Sequence, residues 1–302
     1  MARTAPPAAR GEAPAAARGE RRKTAAQMRR RVLGAPPVWR ELLLVVLFYS
    51  AYTLTRLILV QDGTGPAFEH ADQILRLERA LGLDIELHLN EALLTMPWLA
   101  RTANVFYATM HFIVTLGVIV WLYRYRPDHY RWLRTSIMVA TGAALIGFWL
   151  YPLAPPRFLE HEGFVDPVTA LHSLGLYASD ASGTLTNQYA AMPSMHAGWA
   201  LWCGVVLVKL ASQAWAKVLG ALYPGTTVVV ILATANHYVL DAVAGISLVG
   251  GALWLSWALY ERCPPPLLIA RARVSHLLAQ RGARRAGAPA PAAPAPRCAS
   301  RT

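Results

Sequence analysis

The chain has 302 residues, of which 55% are hydrophobic and only 15% charged. With a mean hydropathy of +0.32, that balance excludes a disordered chain and argues against an ordinary soluble domain. The net charge of +12 sits at the ends: residues 1–40 and 262–302 each carry +8 and residues 41–261 carry −4, which excludes a nucleic-acid-binding fold, since that needs its basicity on a structured face.

Residues 1–36 are Ala, Pro, Arg and Gly with hardly any large apolar side chain, and 282–302 repeat the theme. Neither segment buries enough surface to offset its ordering entropy, so disordered basic tails are expected, placed at 1–40 and 262–302. About forty polar, Arg-rich residues before the first apolar run do not read as a cleavable signal peptide. Between the tails, residues 41–261 hold six apolar stretches near the 20 or so residues needed to cross a bilayer. The first, 42–60, is interrupted only by Arg56. The second, 104–123, carries His111, and the third, 135–152, has no charge. The fourth, 197–211, is followed by 218–235, where Pro224-Gly225 should bend or shorten the helix. The sixth, 236–260, has Asp241 as its only acid. Only helices satisfy their own backbone in lipid at this spacing. An all-α bundle of six transmembrane helices is the expected fold.

The segment between the first two stretches is ambiguous. Leu81, Leu83, Ile85, Leu87 and Leu89 alternate like a strand, yet 68–81 and 83–94 also read at helical spacing, with Gly82 as the break. Two amphipathic interfacial helices are expected. Lys and Arg fall in the tails, at 124–134 and around Lys209 and Lys217, whereas 61–100 and 153–195 are acidic. Six crossings put all the basic segments on one side, which makes both termini cytoplasmic and the two long loops external. The three cysteines, Cys203, Cys263 and Cys298, are far apart in sequence. They form neither a disulfide framework nor a metal knuckle.

Ionisable groups beside membrane helices are costly and point to function. Tyr189-Ala-Ala-Met-Pro-Ser-Met-His196 immediately precedes the fourth stretch, which places Ser194 and His196 at a helix N-terminus that favours an anion. Asn236 is a good N-cap for the sixth helix, and His237 and Asp241, four apart, share a face. Pro155-Pro156-Arg157 follows the third stretch. Each feature alone has a plain reading: an interfacial cap, a satisfied buried acid, a lipid-headgroup anchor. By the expected topology all three meet at the same outer boundary. Two imidazoles, a carboxylate, an arginine and helix N-termini together suit phosphoryl transfer.

Met192-Pro193-Ser194-Met195-His196 resembles the Pro-Ser-Gly-His motif of the type 2 phosphatidic acid phosphatase superfamily. Asn236-His237-Tyr238-Val239-Leu240-Asp241, with Gly245 beyond, is similar to its last motif, and Pro156-Arg157 to the remnant of its first. The wording is closest to the branch containing inositol phosphorylceramide synthases. The resemblance implies His237 as nucleophile, Asp241 as its orienting partner, His196 as general acid, and Arg157 and Ser194 as phosphate-binding groups. His111, Asn236 and Tyr189 are further pocket candidates. Leu150, Phe158 and Ile231 stand where the family carries Lys, Pro and a second Arg. Arg56, Arg79, Arg101 or His111 are the candidates to replace the missing cations.

The expected activity is therefore that of a membrane lipid phosphatase or phospho-headgroup transferase acting through phosphohistidine. Its substrate would be a lipid-linked phosphate and its acceptor water or a lipid or sugar hydroxyl. No cofactor and no metal is expected, because Asp241 is committed to His237 and Arg157 is a cation where a metal site wants ligands. Two rivals remain: a non-catalytic lipid-binding protein of the same fold, and a haem protein with His196 and His237 as axial ligands. The second has no use for Asp241 or Arg157.

Overall fold

The computed structural model describes residues 36–61, 65–172 and 188–262. The expected tails, with Cys263 and Cys298, otherwise lie outside the described residues. Among the described residues the fold is all-helical, with no strand beyond an isolated parallel bridge between Leu153 and Ala190. The helices are α1 (Val38–Gln61), α2 (Gly65–Leu81), α3 (Glu86–Leu94), α4 (Pro97–Tyr125), α5 (Pro127–Leu150), the single turn α6 (Pro167–Ala170), α7 (Met195–Leu210), α8 (Ala214–Ala233) and α9 (Val239–Arg262). Two 3-10 turns, Pro156–Phe158 and Glu160–Glu162, lie between α5 and α6.

Four of these helices, α4, α5, α8 and α9, are long and apolar enough to cross a membrane. Phe112, Ile113, Leu116 and Val120 on α4 are exposed, as are Val218, Leu219 and Leu222 on α8 and Trp254 and Leu255 on α9. A continuous apolar surface of this extent belongs against lipid rather than water. The chain is an integral membrane protein. α7 is apolar but has 16 residues, and α1 has 24.

Local sequence sets where the helices start and stop. Pro97 and Pro127 open α4 and α5 at positions where a missing N–H costs nothing. Arg126, between them, is held out of helical geometry (φ −130°, ψ 51°) because the residue before proline disfavours it. Both helices begin seven or eight residues earlier than the apolar stretches expected at 104 and 135. Apolarity marks the membrane core, whereas the helix continues through polar residues such as Arg101 and Asp128. The strand-like alternation across 81–89 resolves as two helices. Gly82, at φ +66°, closes α2, and the Leu83 N–H returns to the Glu78 carbonyl at 2.9 Å. α8 runs from Ala214 to Ala233 with Pro224 inside it, so of the expected bend or shortening the shortening does not occur. The pyrrolidine ring sits over Gly204 of α7, where a Cβ would come within 2.8 Å of it.

Two of the four apolar clusters among the described residues hold the two halves of the bundle. In its middle, α4, α5, α7 and α9 pack around Leu122, Leu133, Trp202, Val206 and Val249. The Trp202 indole donates to the Leu133 carbonyl and the Ser136 hydroxyl, each at 3.1 Å. At one end, Ala71, Ile74 and Leu75 of α2 pack beneath Leu153, Leu159, Ala191, Ala235 and Tyr238. The opposite end is tied by Tyr123 to the Pro36 carbonyl, by Tyr130 to Glu41, and by Arg126 to the Leu210 carbonyl. Arg124, Arg131, Arg134, Lys209 and Lys217 are on the helix turns that lead to that end.

Candidate active site

The end opposite the basic one gathers the residues singled out by sequence. As the chain leaves α5, the Ala154 N–H donates to the Ala67 carbonyl (3.0 Å) and the Leu153 N–H to the Tyr189 carbonyl (2.8 Å). These bonds fix the path to Arg157, whose own N–H donates to the Ala235 carbonyl at 2.8 Å. Its guanidinium donates to the Asn236 side-chain oxygen and lies over the Phe158 ring, 4.7 Å from the centroid. The Asn236 amide in turn donates to the Thr234 hydroxyl (2.8 Å) and carbonyl (3.2 Å). Asn236 is therefore not the cap of α9. It orients Arg157, and the helix begins three residues later, at Val239. Ala235, at φ +51°, makes the reversal between α8 and α9 in a conformation uncommon outside glycine.

His237 is 3% exposed and Asp241 fully buried. The His237 Nδ1 lies 3.0 Å from the Ala191 carbonyl and 3.4 Å from Asp241 Oδ2. Two acceptors on one nitrogen fix the tautomer with the proton on Nδ1, leaving the Nε2 lone pair available. That Nε2 faces His196 Nδ1 at 3.4 Å. Asp241 Oδ2 also accepts the Tyr238 N–H at 3.0 Å, so the carboxylate folds back over the start of its own helix. The i, i+4 pairing expected on one helix face is present, although His237 precedes the helix.

His196 is in the first turn of α7. Ser194 is its N-cap, accepting the Ala197 N–H at 3.4 Å, and the Ser194 N–H donates to the Asp241 carbonyl at 3.0 Å. The His196 ring stacks on Tyr107 of α4 (4.3 Å, 22°) and meets His111 edge-on (4.2 Å, 62°). α7 and α9 approach closely because both are glycine at the crossing. A Cβ on Gly245 would fall on the Ser194 carbonyl, and one on Gly198 would lie 2.9 Å from the Gly245 oxygen. Tyr189 is half-buried beside Phe68 and Phe158, one ring away from Arg157.

The sequence departures have a structural counterpart. Ile231 is fully buried among Ala197, Leu232 and Ala242, and Leu150 is an exposed apolar residue at the end of α5. Of the proposed replacement cations, Arg79 is paired with Glu162 at 2.7 Å, which raises the Arg79 pKa and lowers that of Glu162. Arg101 is exposed on α4 six residues ahead of Tyr107, and the Arg56 side chain is outside the described residues. His111 is the one brought against His196. Among the described residues, no group of three or more His, Cys, Asp or Glu is placed to hold a metal ion.

Sequence reasoning missed Tyr107 and the acids Glu78 and Glu86. All three have a signal in the pattern. Glu78 follows Ile74 and Leu75 at helical spacing on the apolar face of α2, and Glu86 shares the inner face of α3 with Asn90 and Leu93. An acid on the buried stripe of an amphipathic helix marks a partner across the interface. Tyr107 is one turn before His111.

A helical membrane protein with paired histidines, a buried carboxylate and an arginine gathered at one end has the groups that phosphoester chemistry uses. The chain belongs to the PAP2 superfamily, whose family model matches residues 72–255, from α2 into α9. Members are phosphatases or phosphotransferases, so the chain is a phosphoester-acting enzyme by class. No curated protein and no solved structure matches it.

Proposed function

We propose that the protein is a membrane enzyme that cleaves or transfers a lipid-linked phosphate through a phosphohistidine on His237. The observation that carries this reading is the double anchoring of the His237 Nδ1 by Ala191 and Asp241, with Nε2 directed at His196. Nε2 attacks phosphorus, and the bond from phosphorus to the leaving oxygen breaks as that oxygen takes a proton from His196. In the second half, His196 takes the proton of the incoming water or hydroxyl as its oxygen attacks phosphorus, and the phosphorus–nitrogen bond breaks. Arg157, aimed by Asn236, and the Ser194 end of α7 hold the phosphate oxygens. The two imidazole nitrogens are at hydrogen-bond distance, so substrate phosphate must part them. His196 can yield because its ring rests on Tyr107 by stacking and on His111 by an edge contact, both of which a side-chain rotation breaks.

The placement in the membrane is part of the proposal. α1, with its exposed Leu42, Leu43, Val46 and Leu47, and the shorter α7 join the four long helices as spans. α2 and α3 then lie at the interface beside the site. The basic helix ends face the cytoplasm with both termini, and the site faces outward. The motif wording favours the branch of inositol phosphorylceramide synthases, and the substrate is a membrane lipid phosphate.

The test is incubation of purified protein with a panel of phospholipids and isoprenoid phosphates, with and without hydroxyl acceptors. Free phosphate identifies a hydrolase, and a new phospholipid a transferase. Substrate binding with neither product would favour the non-catalytic lipid-binding reading.

A further inference from the structure

We propose that Glu78 and Glu86 are positioning residues that, as a pair sharing one proton, clamp the first turn of α9 and so set the His237–Asp241 geometry. The inference rests on the reading of His237 and Asp241 as the reacting pair.

Three successive N–H groups open α9, and each goes to a different carboxyl group. Tyr238 donates to Asp241 at 3.0 Å, Val239 to Glu86 at 2.7 Å and Leu240 to Glu78 at 2.7 Å. Glu78 comes from α2 and Glu86 from α3, and both are fully buried. The helix end that sequence would offer to a phosphate is thus already taken by the protein's own acids. Among the described residues, no hydrogen bond or ion pair joins either glutamate to His237. Both act on it through the backbone that carries Asp241.

A helix N-terminus carries only about half a positive charge, so it does not support three buried negative charges in one turn. Glu78 and Glu86 converge on adjacent N–H groups of one turn, and the Oε2 of each is buried with no hydrogen-bond partner among the described residues. Burial, then the negative charge of Glu86 and Asp241, pushes the Glu78 carboxyl up to about 9, and burial raises Glu86 as well. One proton between the two carboxyls relieves the repulsion and leaves an acceptor for each N–H. The titratable groups facing the pair are Asp241 from α9 and Tyr238 just before it.

The sign follows from linkage. Between the ordinary carboxyl range and pH 9 the folded protein holds a proton that the unfolded chain has released. Stability therefore falls as pH rises through that window, and above about pH 9 the clamp gains a second charge and loosens. Glu78→Gln mimics the protonated partner: its carbonyl still accepts the Leu240 N–H and it carries no charge.

The experiment compares wild type, Glu78→Gln and Glu78→Ala for kcat, KM and thermal midpoint from pH 5 to 10. Wild type should lose kcat on an alkaline limb near pH 9 with KM little changed. Glu78→Gln should keep kcat at pH 7 within about threefold, lose that limb, and show a flatter midpoint between pH 5 and 9. Glu78→Ala should lower kcat at least tenfold at every pH while it still folds. A Glu78→Gln profile with the wild-type limb and midpoint slope, or a Glu78→Ala enzyme with wild-type kcat, would overturn the proposal. The midpoint needs no turnover, so the clamp is tested even if His237→Ala proves active and the reading of the site fails instead.

Discussion

Asp241→Asn separates charge from geometry at His237, the proposed nucleophile. In hydrolase triads, an Asp→Asn change that leaves the histidine in the wrong tautomer lowers kcat by about 10⁴. Here the tautomer has a second holder. The Ala191 carbonyl is 3.0 Å from His237 Nδ1, closer than the 3.4 Å of Asp241 Oδ2. An asparagine with its oxygen in the Oδ2 position accepts the same two N–H groups, from His237 and Tyr238. What is lost is the negative charge that stabilises the imidazole as it takes on phosphorus. A hydrogen bond to a charged group contributes about 1.5–3 kcal/mol against about 0.5–1.5 kcal/mol for a neutral one, so the charge alone accounts for about 1–1.5 kcal/mol, and each 1.4 kcal/mol or so is tenfold in rate. The expected fall in kcat is therefore about 5- to 12-fold, read in a steady-state phosphate-release assay on protein with an unchanged thermal midpoint. A loss of 10⁴ or more would show that Ala191 does not hold the tautomer. An unchanged kcat would show that the charge of Asp241 plays no part in the chemistry.

Gly245→Ala places a methyl on the Ser194 carbonyl and should cost about 1–3 kcal/mol by overpacking. The thermal midpoint and kcat should fall together, whereas Gly250→Ala, which meets nothing within 4 Å, should change neither; equal behaviour of the two variants would refute the close crossing. His196→Ala should slow turnover of ordinary lipid phosphates at least 100-fold but spare a nitrophenyl phosphate, whose leaving group needs no proton. Equal losses on both substrates would remove His196 from the general-acid role. In a background without the native cysteines, Glu160→Cys should react with an impermeant maleimide from outside and Gln213→Cys only after permeabilisation. The reverse pattern would invert the proposed topology.

Much of the candidate site was legible because its groups are short in sequence and chemically unusual for a membrane. Met192 to His196 and Asn236 to Asp241 sit at helix starts, and Arg157 follows an apolar stretch, so a common depth put them together. The helices were legible as apolar runs, but their ends were not. Polar residues extend α4 and α5 beyond the apolar part, and Pro224 is absorbed because Gly204 leaves room for its ring. Long-range partners were the least legible. Nothing local says that Glu78, in α2, will accept the N–H of Leu240, or that Asn236 will turn toward Arg157 rather than cap its helix. Those choices are made by packing between segments far apart in the chain, and periodicity within one segment does not carry them.

The central claim is that His237 is the nucleophile. Acid-labile phosphate captured by rapid quench with a phosphorus-labelled substrate, then mapped by peptide, tests it directly. Label should appear on His237, vanish in His237→Ala together with turnover, and accumulate in His196→Ala when the leaving group is good. Label on His196, or a His237→Ala protein that still turns over, would contradict the account.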